Sequence, residues 1–447
     1  MKLFGSSGVR GVAGTELTPE RVTAIAAAAG DYCAADRVAV ARDTRTTGPM
    51  LADAATSGLA AVGADVDRLG VVPTPGTQSY CEREGVPALQ VTASHNPPAY
   101  NGVKVIGAEG VELDRESLEA IERRVLDETP ARQGYDGVGR TRDVEGVREA
   151  YVDELCEAVD RERIADADLT VAVDPGHGAG SLTSPGFFRR LGCRVVTVNS
   201  QPDGHFPGRD PEPVPENLGD LRRLVRATDA DLGIAHDGDA DRAVFVDERG
   251  ESVDGDASLA ALAAAELGAD DLMVSAVNVS QRVVDAVVSM GADLELTPIG
   301  STHIITRVRE RQAAGRTVPV AGEGNGGVFF PAFRLSRDGA YIAARFLELV
   351  TEEPASDLLA PFDGYHKVRE NIPYETEAER EAMLAAIADY AEQADAEVTT
   401  IDGFRLDYGD AWVLARPSGT EPLVRVYAEG RSADRAEALA ADLLDAL

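Results

Sequence analysis

Leu169-Thr170-Val171-Ala172-Val173-Asp174 is an apolar run closed by an acid, and it leads through Pro185-Gly186-Phe187-Phe188 to Leu191-Gly192-Cys193-Arg194-Val195-Val196. The order is strand, loop, helix, glycine stop, strand. It recurs where Val38-Ala39-Val40-Ala41-Arg42-Asp43 leads through a helical stretch to Gly63-Ala64-Asp65-Val66 and then Val71-Val72-Pro73-Thr74-Pro75. It recurs again from Leu272-Met273-Val274-Ser275-Ala276-Val277 through Val283-Val284-Asp285-Ala286-Val287-Val288 to Met290-Gly291-Ala292-Asp293-Leu294. Glycine ends a helix cheaply, and short apolar runs between such stops are the grammar of a βαβ crossover. Three related α/β domains follow.

Boundaries come from the punctuation between repeats. A charged helix over 114–128 gives way to polar Pro/Gly-rich sequence at 129–140, and a second helical run covers 144–159. Asp247-Glu248-Arg249-Gly250 reads as a hairpin tip, and a helix around 340–350 with the Pro-containing stretch 354–361 closes the third unit. The expected domains are 1–143, 144–248, 249–365 and 366–447. The last, with helices at 375–394 and 433–446, reads as a smaller α+β unit.

The stretch Thr92-Ala93-Ser94-His95-Asn96-Pro97-Pro98-Ala99-Tyr100-Asn101-Gly102-Val103-Lys104 sets a hydroxyl just past the apolar run Ala88-Leu89-Gln90-Val91, in a loop of strong turn formers. A serine there is presented to a ligand but is a poor nucleophile without a base or metal. Asp237-Gly238-Asp239-Ala240-Asp241-Arg242 supplies three carboxylates at alternate positions, between the strand-like Ala230-Asp231-Leu232-Gly233-Ile234-Ala235 and Ala243-Val244-Phe245-Val246. Oxygen ligands on one turn suit Mg²⁺. By itself the loop also fits an acidic surface turn in an acidic protein. An EF-hand is excluded: Glu248 falls at loop position twelve, but position six is Arg242 rather than glycine, and strands flank the loop.

A third candidate is Arg416-Pro417-Ser418-Gly419-Thr420-Glu421-Pro422, followed by Arg425. Two guanidinium groups, two hydroxyls and a glycine-freed backbone form a receptor for a phosphate dianion. An ordinary turn between Trp412-Val413-Leu414-Ala415 and Leu423-Val424-Arg425-Val426-Tyr427 is the other reading.

Together with Phe4-Gly5-Ser6-Ser7-Gly8-Val9-Arg10-Gly11 and Gly322-Glu323-Gly324-Asn325-Gly326-Gly327, these motifs stand in the order of the α-D-phosphohexomutase family. The chain resembles that family, which includes phosphoglucomutase, phosphomannomutase and phosphoglucosamine mutase, over essentially its whole length. The resemblance implies four domains around a central cleft, with one key motif from each. It implies that Ser94 is carried as phosphoserine, and that Asp237, Asp239 and Asp241 hold one Mg²⁺ per chain bridging to its phosphate. Arg10 and Arg242 would steady phosphate oxygens, and His95 and Lys104 match positions around the phosphoserine, Lys104 being the candidate proton-transfer group. Glu323, with Asn325 in the same motif, would meet sugar hydroxyls; Arg416, Ser418, Gly419, Thr420 and Arg425 would grip the phosphate that is not transferred.

The implied reaction moves phosphate between the 6- and 1-hydroxyls of a hexose or hexosamine phosphate, through a bisphosphorylated sugar that also serves as activator. Such transfer asks the protein mainly for alignment and charge neutralisation. Many family members carry Ser and His in the sugar motif where this chain has Asn325 and Gly327. The opening motif looks closest to the phosphoglucosamine mutase branch, with phosphomannomutase/phosphoglucomutase as the alternative. Two readings from other classes are a sugar-phosphate phosphatase and a non-catalytic phosphosugar-binding protein. A second phosphate receptor argues against the first, and the complete set Ser94, Lys104, Asp237, Asp239 and Asp241 against the second. Asp241 also stands where the Asp-x-Asp-x-Thr motif of a haloacid-dehalogenase-type phosphatase needs a hydroxyl.

Composition bounds the partners. The 447 residues include 77 acidic and 43 basic ones, for a formal net charge of −34, and lysine occurs only at positions 2, 104 and 367. Lys104 is thus an exception with a reason, since a desolvated ammonium can lose its proton where a guanidinium cannot. Such acidity points to a cytosol rich in salt, a haloarchaeon-like source, and away from nucleic acid. Cys33, Cys81, Cys156 and Cys193 show no paired metal spacing and suggest a reducing compartment. Met1-Lys2-Leu3-Phe4-Gly5 has no apolar core of signal length and no run approaches roughly 18 apolar residues, so a cytoplasmic protein without membrane contact is expected, as monomer or homodimer. Weaker candidates are Pro175-Gly176-His177-Gly178-Ala179-Gly180, read as a crossover loop rather than a phosphate cradle, His303 after Gly300-Ser301-Thr302, and the turn Asp402-Gly403-Phe404-Arg405.

Overall fold

The computed structural model describes residues 3–5, 8–418 and 422–447. Its α/β chain divides into two compact units, Met1–Ser258 with Asn325–Leu358, and Leu259–Gly324 with Leu359–Leu447. The stretch 249–365 is therefore shared between units.

In the first unit a six-stranded sheet runs in the order Val9–Val12, Tyr100–Ile106, Ala88–Val91, Arg37–Arg42, Asp65–Val71, Thr141–Asp143. Its centre is parallel: Arg37–Arg42 pairs in parallel with both Asp65–Val71 and Ala88–Val91. The apolar run is continuous because both faces are covered. Val38 and Val40 pack with Val22, Ile25, Leu51 and Leu59 of the helices Pro19–Cys33 and Gly48–Ala61. Ala39 and Ala41 point the other way, to Tyr80, Cys81 and Val147. Sequence pattern did not reveal Val9–Val12, a short strand antiparallel to Tyr100–Ile106 that sets Arg10 opposite Gly102. The charged helix is Arg115–Leu126, shorter than 114–128, because Asp114 is its cap: the side chain accepts from Ser117 N at 2.8 Å.

The second sheet of this unit runs Val244–Val246, Leu232–Ala235, Thr170–Asp174, Arg194–Thr197. Leu232–Ala235 and Val244–Val246 are antiparallel, with Ala235 opposite Val244, so the acidic loop is the strand-to-strand turn that its flanks predict. The next hairpin tip is at 247–250, where Gly250 N donates to Asp247 O.

In the second unit Leu272–Ala276 lies in parallel between Asp293–Thr297 and Ala321–Glu323. All three repeats end their helix on a left-handed glycine: Gly63 at φ 100°, Gly192 at 99° and Gly291 at 73°. The C-terminal sheet is wholly antiparallel, in the order His366–Pro373, Leu423–Gly430, Ala411–Pro417, Phe404–Asp407, Glu397–Thr399. Alternation sorts its faces: Val413, Ala415, Val424, Val426 and Ala428 pack with Ile387 of the helix Glu377–Gln393 and Leu439 of the helix Ala433–Leu444. Trp412, Leu414 and Tyr427 face the other way, against Val277 and Ile299. All four cysteines are free. Among the described residues, no helix is long and apolar enough to cross a membrane.

Candidate active site

Ser94 sits at the C-terminal end of Ala88–Val91 in left-handed backbone, φ 50°, and is fully buried. Its Oγ donates to Asp237 Oδ2 at 2.5 Å, joining residues 143 positions apart. Backbone meets backbone at this join: a Cβ on Gly238 would lie 2.7 Å from Ser94 O, so the position takes no side chain without displacement.

The other two carboxylates of the loop meet cations. Lys104 Nζ donates to Asp239 Oδ2 at 2.8 Å and Asp241 Oδ2 at 2.9 Å, with Glu112 Oε1 at 3.7 Å. Tyr100–Ile106 runs antiparallel to Ala88–Val91 with Lys104 opposite Gln90, which brings the lysine back beside the strand that ends near Ser94. Arg337 Nη2 donates to Asp241 Oδ2 at 2.6 Å, and Thr74 Oγ1 to Asp239 Oδ2 at 2.5 Å. Asp237, Asp239, Asp241 and Lys104 are all at most 1% exposed, so each ion is held by its partners rather than by water.

Burial and the neighbouring Asp241 and Asp239 push the Asp237 carboxyl up to about 7. Burial would raise Asp241 too, but Arg337, Lys104 and Arg242 hold it far below the usual carboxylate range. Asp239 is lowered on balance, with Lys104 and the Thr74 hydroxyl outweighing burial. Burial alone would depress Lys104, yet Asp239, Asp241 and Glu112 hold it above its ordinary value. The desolvated, readily deprotonated lysine expected from sequence is here a firmly held ammonium. Arg242 Nη2 donates to His95 Nδ1 at 3.0 Å; Arg242 first, then burial and Arg10, keep that imidazole neutral. Arg10 Nη1 donates to Asn96 Oδ1 at 2.7 Å.

A cation fits these residues. The three aspartates each place a carboxylate oxygen within 4.8 Å of the others, the sole such group among the described residues. Asp239 Oδ1 and Asp241 Oδ1 are buried and accept no hydrogen bond, a costly state for an acceptor of about 1–3 kcal/mol each unless a ligand is received there. All-oxygen donors match a hard divalent ion.

Asn325 lies in the same unit. Its loop rests on the residue after Arg242: Ala243 N donates to Gly326 O, and Asn325 Oδ1 accepts from Gly327 N at 3.0 Å. The 175–180 loop packs behind the acidic turn, with Ala179 N donating to Gly238 O at 2.9 Å, as a crossover loop does.

The second unit carries the remaining candidates. Arg416 and Arg425 are register partners on adjacent strands. Asp402 Oδ2 lies 3.0 Å from Arg416 Nε and accepts from Ile299 N at 3.2 Å, while Gly300 N donates to Glu323 Oε1 at 3.3 Å. Glu323 and the arginine pair are thereby joined through residues 299–300. His303 lies in the first turn of the helix Ser301–Ala313 that begins there. Ser418 N donates to Leu423 O at 2.8 Å, closing the base of the loop; Gly419 and Thr420 lie outside the described residues.

Sequence reasoning missed Thr74, Arg337, Glu112 and Arg45. Arg45 directly follows the Asp43-Thr44 pair at the C-terminal end of a parallel strand, where α/β sheets gather ligands, and that position was the available signal.

The sequence matches phosphoglucomutase/phosphomannomutase α/β/α domains I, II and III over residues 1–132, 149–250 and 254–365, and the C-terminal domain of the same family over 371–446. It is 41% identical to a probable phosphoglucosamine mutase of Methanopyrus kandleri, over 99% of this chain and 97% of that one. It is 38% identical to a phosphoglucomutase/phosphomannomutase of Thermococcus kodakarensis, over 97% and 96%. Among solved structures, a phosphoglucomutase/phosphomannomutase family protein of Burkholderia thailandensis superposes with a TM-score of 0.88 at 29% identity, covering 100% of this chain and 96% of that one.

Proposed function

This chain belongs to the phosphoglucomutase/phosphomannomutase family of phosphohexomutases, and from that membership we propose that it interconverts glucosamine 6-phosphate and glucosamine 1-phosphate by way of a phosphoserine at Ser94. The observation that carries this reading is the 2.5 Å contact between Ser94 Oγ and Asp237 Oδ2, one of the three buried aspartates that lie together. Asp237, Asp239 and Asp241 would hold Mg²⁺, which when bound supplies charge neutralisation at the transferring group.

The chain's own residues do the rest. Arg10 and Arg242 orient phosphate oxygens, Lys104 Nζ, held as an ammonium, is the donor of the proton that is moved, and His95, neutral, accepts from Arg242 and fixes its fork. Phosphoserine gives its phosphoryl group to one sugar hydroxyl; the bisphosphate reorients and returns its other phosphoryl group to Ser94 Oγ. Glu323 and Asn325 meet sugar hydroxyls, and Arg416, Ser418, Gly419, Thr420 and Arg425 hold the idle phosphate. A soluble cytoplasmic enzyme with domains 1–143, 144–248, 249–365 and 366–447, working in high salt as monomer or homodimer, completes the reading.

Glucose or mannose phosphate is the second reading, favoured by the Thermococcus relative. Turnover of the glucosamine, glucose and mannose 6-phosphates is to be compared in high salt with Mg²⁺ and a trace of sugar bisphosphate. Highest kcat/KM on the amino sugar is expected. Preference for a neutral sugar selects the second reading, and free phosphate without any isomer overturns the mutase.

A further inference from the structure

Two buried arginines outside the reacting set share one construction. Arg45 is fully buried beside Asp43, and all five of its side-chain N–H donors are used. Nε donates to Asp43 Oδ2 at 3.1 Å, Nη1 to Pro97 O at 2.7 Å and Tyr100 O at 2.9 Å, Nη2 to Ser94 O at 2.8 Å and Asn96 O at 2.6 Å. Four carbonyls of the Ser94 loop thus converge on one planar cation. Asp43 also accepts from Thr92 Oγ1 at 2.7 Å, and Thr92 Oγ1 accepts from Ser94 N at 2.9 Å.

Arg209 repeats this in the second sheet. Its Nε donates to Asp174 Oδ2 at 2.9 Å, Nη1 to Asp210 O and Pro211 O, and Nη2 to Asp174 O at 3.2 Å and His236 O at 2.6 Å. His236 is the residue on which the Asp237 loop begins. Asp43 and Asp174 hold corresponding places, at the end of the first strand of each βαβ repeat.

We propose that Asp43–Arg45 and Asp174–Arg209 are paired positioning devices, one fixing the loop that carries Ser94 and the other the base of the loop that carries Asp237, so that nucleophile and carboxylate meet in register. Neither arginine touches the reacting atoms. A left-handed serine in an irregular loop has no ladder to fix it, and a forked cation bonded to four of its carbonyls replaces one. Lysine cannot do the same, since a point ammonium has three donors and no fixed fork.

This inference rests on the reading of Ser94 as phosphoryl carrier, and its test separates the two. Arg45→Lys and the milder, nearly isosteric Asp43→Asn are to be compared with wild type in the Mg²⁺-loaded full chain. Three readouts are the kcat/KM split, the mass shift of Ser94 after exposure to glucose 1,6-bisphosphate, and hydrogen exchange of segment 92–101. The expected result for Arg45→Lys is a fall in kcat of roughly a hundredfold with KM nearly unchanged. Exchange should quicken in 92–101 while Arg37–Arg42 and Ala88–Val91 stay protected. Asp43→Asn should move the same readouts less, and it serves if Arg45→Lys does not fold. Unchanged exchange in 92–101, or exchange raised evenly through the unit with activity lost only in proportion to unfolding, overturns the proposal. A wild type that neither takes up phosphate nor isomerises sugar phosphates overturns the reading of Ser94, while the exchange comparison still decides the role of Arg45.

Discussion

Arg416 and Arg425 stand directly opposite one another across the strands Ala411–Pro417 and Leu423–Gly430. Like charges in that relation repel, and such a pair is retained where an anion is to be received between or beside the two groups. Asp402 already offsets Arg416 at 3.0 Å. Replacing Arg425 by Ala should therefore raise KM for the sugar phosphate by roughly tenfold or more, the loss of a charged hydrogen-bonded contact. Steady-state kinetics checks this; an unchanged KM would remove the pair from the phosphate site.

Lys104 neutralises two buried carboxylates at once. Lys104→Met leaves Asp239 and Asp241 with less compensation and should cost about 3–5 kcal/mol in urea unfolding without divalent ions. Added Mg²⁺ should recover a larger share of stability in this variant than in wild type. Equal Mg²⁺-induced shifts in the two proteins would count against a cation among these aspartates.

Asp239→Asn keeps the shape of the side chain and removes its charge. Titration calorimetry should show Mg²⁺ affinity reduced by roughly tenfold or more. Turnover should fall further than folding does, because Thr74 and Lys104 can still donate to the amide oxygen. Retained wild-type metal affinity would contradict the carboxylate assignment.

His236 predicts an acid-side loss of stability. Burial holds its imidazole down to about 4, with Nδ1 against Arg242 O at 2.8 Å, where the neutral ring donates. The unfolded histidine takes up a proton near 6.5 and the folded one does not until about 4, so the unfolded state binds more protons across that window. Stability is full above the higher value and falls as pH drops toward the lower, by up to about 1.4 kcal/mol per pH unit from this residue. Denaturant midpoints measured from pH 7 to 4 should show the slope, and His236→Asn should flatten it. An equally steep curve in the variant would place the titration elsewhere.

The repeats were legible because burial on both faces leaves a sequence mark: Val38, Ala39, Val40 and Ala41 are all apolar though they alternate between two cores. The acidic turn and the arginine loop were legible because their residues are neighbours in sequence. Thr74 and Arg337 were not, since each meets its aspartate from 165 and 96 positions away and belongs to no local pattern. Lys104 was legible from its rarity, but its partners were not: only the folded geometry brings Asp239, Asp241 and Glu112 to it. The division of 249–365 between two units has no sequence mark either, because it depends on which neighbours the successive segments of that stretch pack with.

Ser94 and the carboxylate beside it ride on different sheets, and they meet where the bare Cα of Gly238 lies against the carbonyl of Ser94. A few polar side chains bridge that join: Ser94 to Asp237, Thr74 to Asp239, and Lys104 to Asp239 and Asp241. Gradual heating should thus silence the enzyme before circular dichroism records any loss of helix, as those bonds loosen while each sheet remains intact.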